Sequence, residues 1–90
     1  MTKAAYRRKL LGLVWRLKKE IALVAAALVE TARELEEIYK AIKEEDDPDR
    51  KKELLEKAGK VEERLKKLRK LKEELEAEKK AAEEDLKQNK

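Results

Sequence analysis

Ninety residues with a net charge of +4, 51% of them Asp, Glu, Lys or Arg, make one small domain with little room for a core of its own. The chain contains no Cys, His or Ser, which excludes disulfides, thiolate zinc sites and the usual nucleophile–base pairs of covalent catalysis. Ala, Glu, Lys, Leu and Arg dominate, as in long helices and coiled coils, so the expected fold class is all-α.

Residues 1–19 carry seven basic side chains and no acidic one. Within them, "YRRKLLGLVWRLKK" reads as a basic, strongly apolar helix containing Tyr6 and Trp15. Membrane-surface and calmodulin-target helices share that pattern. "IALVAAALVE" follows at 21–30, with nine apolar residues in a row before Glu30. Such a run covers about 14 Å of helix, against the roughly 30 Å of hydrocarbon that a spanning helix must cross. Arg16, Lys18, Lys19 and Glu20 bar its extension, so neither a transmembrane span nor a signal peptide is expected. Acidic residues then prevail, nine against three basic over 20–47.

The first helix is predicted over about 3–45. "EEDDPDR" at 44–50 is the strong break. Asp47 suits the N-cap of a second helix, and Pro48 its first helical position, where a missing N–H costs nothing. Asp49 suits the positive end of the helix dipole. The turn is therefore placed at about 46–47 and the second helix over about 48–88. So short a connection makes the helices antiparallel neighbours, each roughly 60 Å long. The whole chain, 1–90, is expected to be a single helical-hairpin domain.

The spacing of apolar residues gives the register. On the first helix Leu10, Val14, Leu17, Ile21, Val24, Leu28, Thr31, Leu35, Ile38 and Ile42 recur in alternating steps of four and three, a heptad seam. The second helix repeats the pattern with Leu54, Ala58, Val61, Leu65, Leu68, Lys72, Leu75, Lys79, Ala82 and Leu86. Folding the chain at the turn sets Ile42 against Leu54, Ile38 against Ala58, Leu35 against Val61 and Thr31 against Leu65. Leu28 meets Leu68, Ile21 meets Leu75, Val14 meets Ala82 and Leu10 meets Leu86. Lys72 and Lys79 fall opposite Val24 and Leu17, where their stems can lie on the seam with their ammonium groups in water. Leu71 is placed to help cover the first of these layers. Thr31 is expected to bond the carbonyl one turn back.

The charges keep the same register. The basic start lies beside the acidic stretch Glu73 to Asp85, and Glu30, Glu34, Glu36 and Glu37 lie beside Lys57, Lys60, Arg64, Lys66 and Lys67. Each exposed pair contributes under ~1 kcal/mol; their use is to choose orientation and register. Gly12 and Gly59 lie within helical pattern, either permitting close helix approach at a subunit contact or carrying no role.

A second stripe runs one residue along the first helix: Leu11, Trp15, Lys18, Ala22, Ala25, Val29, Ala32, Glu36 and Tyr39. It is rotated about 100° from the seam, so the second helix cannot cover both. Leu23, Ala26 and Ala27 fill gaps between the stripes. The second helix has no comparable stripe. The first helix therefore reads as inner and the second as outer in a homo-oligomeric bundle whose interface is Leu11, Trp15, Ala22, Ala25, Val29, Ala32 and Tyr39. A four-helix dimer and a larger ring are both compatible with that angle. The expected function is structural self-assembly without catalysis. A ring-shaped pore is the alternative, and an anionic membrane surface for the basic amphipathic start is a further one. No cofactor and no metal is expected: the Glu-x-x-His ligands of di-iron bundles are missing, and spaced carboxylates such as Glu30 and Glu34 read as a solvated face. No nucleic-acid partner is expected, because no recognised module accompanies the basic cluster and the acidic segments repel phosphate.

"EEDDPDRKKELLEKAGKVEERLKKLRKLKEELEAEKK", with its Asp-Pro helix start, dense Glu/Lys/Arg surface and cores of Leu, Ile, Val and Ala, resembles de novo designed helical hairpins of the parametric coiled-coil kind. The resemblance covers the whole chain. It implies a symmetric homo-oligomer, in some designs a ring or pore, with recombinant cytoplasmic expression. Versions with hydrogen-bonded cores carry buried Asn, Gln or Ser, which this seam lacks apart from Thr31. A natural coiled-coil fragment is the competing origin.

Overall fold

The structure, a computed structural model, describes residues 2–88. It consists of two helices, α1 (Lys3–Glu44) and α2 (Pro48–Gln88), joined as a helical hairpin. Among the described residues there is no strand, no cis peptide bond and no residue with positive φ.

Each helix begins on a side-chain cap. The Ala5 N–H donates to Thr2 Oγ1 at 3.2 Å, which satisfies one of the free donors at the start of α1. At α2 the Asp49 N–H donates to Asp47 Oδ1 at 3.0 Å, and Pro48 holds the first helical position. The connection is three residues, 45–47, and α1 ends one residue before the approximate boundary at 45. Glu45 marks the exit. Its N–H still bonds the Ala41 carbonyl at 3.0 Å, but its carboxylate accepts the Asp47 N–H at 3.2 Å and draws the chain out of the helix.

The packing falls into two units. The first, Ala26–Lys70, holds the turn and the adjoining parts of both helices. Its core joins Ile38, Ala58 and Val61, with Leu35 and Ile42 packed against them. Thr31 is buried here, and its hydroxyl donates to the Ala27 carbonyl at 2.7 Å, so it needs no partner across the seam. Arg64 reaches Glu34 at 3.5 Å on the flank.

The second unit comprises the described residues up to Ala25 and those from Leu71 onward. Leu10, Val14 and Ala82 form its core, with Leu13 and Leu86 against them. Leu17 and Leu75 are also buried, while Ile21 and Val24 are half-buried. Lys72 and Lys79 are half-buried, and each ammonium pairs 2.9 Å from the carboxylate four residues on, Glu76 and Glu83. Leu71 does not help cover this seam; it is 42% exposed. It precedes the seam position Lys72 and so projects from the flank of the helix.

Gly12 and Gly59 have helical backbones, and an added Cβ at either would meet nothing within 4 Å. Neither glycine is required for close approach inside the hairpin. Gly59→Ala is therefore expected to raise stability by about 0.5–1 kcal/mol through helix propensity and a less flexible unfolded chain. A urea titration that shows equal or lower stability would contradict this.

Candidate self-association surface

Heptad geometry sets what is left uncovered. α2 takes up the seam of α1 and leaves the neighbouring row largely exposed, apart from the Tyr39 hydroxyl, which bonds α2. Leu11, Trp15, Lys18, Ala22, Val29, Ala32, Glu36 and Tyr39 are exposed or partly so, and Ala25 is half-buried. Seam positions, by contrast, are buried or half-buried throughout, including Leu28, Leu54, Leu65 and Leu68.

In the turn unit, Val29 is 60% exposed. With Ala32, Tyr39 and Arg69 it borders a shallow groove of about 550 Å³. The Tyr39 hydroxyl donates to Glu62 Oε1 of α2, and the residue stays 43% exposed at the edge of the groove. Glu36 lines the same groove and brings negative charge to an otherwise apolar row.

In the unit holding the two chain ends, Trp15 is 64% exposed. Lys19 Nζ stands 4.7 Å from the centre of its ring, a cation–π contact. Trp15, Lys18, Lys19 and Ala22 border a second shallow groove, of about 320 Å³. Leu11 lies one turn away and is also exposed. The apolar row of this unit is thus set among cations.

Two ionisable groups beside the seam depart from their ordinary values. The Tyr6 hydroxyl donates to Asp85 Oδ2 at 3.2 Å, and Arg7 Nη1 donates to the Leu86 carbonyl at 3.3 Å. The Asp85 carboxylate, as hydrogen-bond acceptor and then as a like charge, holds Tyr6 above 10.0, and partial burial adds to this. With the folded value raised, this contribution is present below the unfolded value and lost as pH rises through the folded one. Asp85→Asn is expected to move the Tyr6 titration down toward 10, followed by absorbance of the phenolate; an unchanged midpoint would exclude the contact. Glu83 is displaced the other way, below 4.5, by the hydrogen bond and charge of Lys79, with smaller help from Lys18 and Lys87. Its contribution is present above the unfolded value and lost as pH falls through the folded one.

Three features were not legible in the sequence pattern. Leu13 joins the core of the end unit although it lies outside both stripes. It precedes Val14 by one residue, on the flank away from Leu11 and Trp15, where heptad counting gives no warning. Leu23 fills no gap; it is 72% exposed. Leu55 of α2 is exposed as well. Both are isolated large apolar residues, which sequence periodicity assigns to neither row.

Among the described residues no group of three or more Asp or Glu side chains is arranged to hold a metal ion. No described helix is long and apolar enough to cross a membrane. No buried side-chain polar atom among the described residues lacks a hydrogen-bond partner. No family model matches this chain, and neither a curated protein nor a solved structure does.

Proposed function

We propose that the protein is a structural, self-assembling module: copies pack through the exposed row of α1 to form a symmetric helical bundle, with α1 inside and α2 outside. The observation that carries this reading is the row itself. A chain that is half charged keeps Leu11, Trp15, Val29 and Tyr39 exposed on one helix, beside a seam that is covered. Burying a large apolar side chain contributes roughly 1.5–3 kcal/mol, so four such residues supply a driving force that a solvated row forgoes. Alanines at 22, 25, 26 and 32 suit a close approach of backbones. Sedimentation equilibrium is the test: a single discrete oligomer at micromolar concentration is expected, and a monomer overturns the reading. In the ring version of this assembly the inner helices surround a channel. Ion flux across liposomes would support the ring, and no flux leaves the solid bundle.

A further inference from the structure

The exposed row differs in charge along α1. Around Leu11, Trp15 and Ala22 the flanking residues are cationic: Arg8, Arg16, Lys18 and Lys19, with no acid before Glu20. Around Val29, Ala32 and Tyr39 they are mixed, Glu30, Glu36 and Glu37 with Arg33, and Arg69 of α2 borders the same groove. The row itself holds one charge of each sign, Lys18 in the first part and Glu36 in the second, both exposed. We propose that the partner on this row is a second copy lying antiparallel, α1 against α1, so that the Leu11–Trp15 patch of each copy packs on the Val29–Tyr39 patch of the other. This rests on the self-assembly reading and adds orientation and register to it.

The register follows from the heptad positions. Matching the alternating steps of the two reversed rows sets Trp15 opposite Tyr39, Ala22 opposite Ala32 and Ala25 opposite Val29. Lys18 then faces Glu36, both exposed in the single chain and of opposite charge. Two-fold symmetry makes that pair twice. Small residues fall at the crossing and large ones at both ends, so the backbones can approach in the middle while Trp15 and Tyr39 fill the outer space. A parallel arrangement instead stacks Lys18 on Lys18 and Glu36 on Glu36, and sets the cationic stretch against its own copy. That is also the arrangement of any parallel ring.

The chain has no cysteine, so single thiols report the register without background. Trp15→Cys and Tyr39→Cys chains are mixed, checked for retained oligomer mass and oxidised. The expected product is the mixed disulfide that joins position 15 of one chain to position 39 of the other, with little of either homodisulfide. Dominant homodisulfides from an intact oligomer overturn the antiparallel proposal and leave self-assembly standing. A monomeric wild-type chain overturns both. The charge pair gives an independent reading. Lys18→Glu and Glu36→Lys are each expected to weaken assembly about tenfold in Kd, because two surface pairs become repulsive. The double variant is expected to recover wild-type Kd. Single variants that assemble as tightly as wild type, or a double variant that stays as weak as either single, overturn the proposed pairing.

Discussion

Val29→Glu is expected to reduce the assembly to monomers while most of the helical circular-dichroism signal remains. The residue is 60% exposed in the single chain and lies outside its seam, so the new carboxylate costs the hairpin little. At an oligomer interface the same carboxylate loses its water, a penalty that cations beside it such as Arg33 and Arg69 offset only in part. In a dimer both copies carry it. Even about 2 kcal/mol per side multiplies Kd by roughly a thousand. Sedimentation equilibrium reads the mass, and circular dichroism reads the fold. If the mass is unchanged, the exposed row of α1 is not the interface.

Val61→Asp is expected to have the opposite signature: loss of the fold itself. Val61 is 2% exposed among Ile38, Ala58, Leu35 and Ile42, with no cation in that cluster. An ionised carboxylate there is desolvated and unpaired, for a destabilisation of about 3–5 kcal/mol, most of what a small domain has. Val61→Ala, which removes only apolar bulk, should cost about 1–2 kcal/mol. The pH dependence separates charge from shape. Burial raises the pKa of the introduced acid above its unfolded value near 3.9, the ordinary value of about 3.9 for an aspartate. The charge penalty is therefore absent below that value and grows as pH rises through the folded one. Urea midpoints for the Asp variant should approach those of the Ala variant at about pH 3 and fall well below them at about pH 7. A pH-independent difference would mean that the carboxylate reaches water.

The contrast between these two valines shows why so much of the hairpin was legible. A strict alternation of fours and threes on both helices, meeting at one turn, leaves a single register that buries both seams, and the cores around Val61 and Val14 lie in it. Asp47 and Pro48 were legible for a different reason: a cap and a fixed φ are local requirements that one or two residues state by themselves. Thr2 was not, because a threonine before a basic stretch, without an acid three residues on, lacks the usual start signature. Leu71 escapes the pattern because distance from a defect in the seam says nothing about which flank a side chain leaves from. The exposed row was legible as a pattern. What occupies it is a matter of a second molecule, and a pattern within one chain constrains that through charge and residue size alone.

The turn also orders events in time. In the turn unit, contacts such as Tyr39–Glu62 span only 23 residues of chain, whereas Tyr6 and Asp85 in the other unit are 79 apart. Closing the longer loop from the unfolded chain costs about 1 kcal/mol more in entropy, but once the residues beside the turn are paired, each further layer closes only a short additional length of chain. The hairpin is thus built to close like a zip from Asp47 outward. Its latest-forming layers include those around Leu11 and Trp15, so α1 has both rows complete only when the last of its own seam is shut.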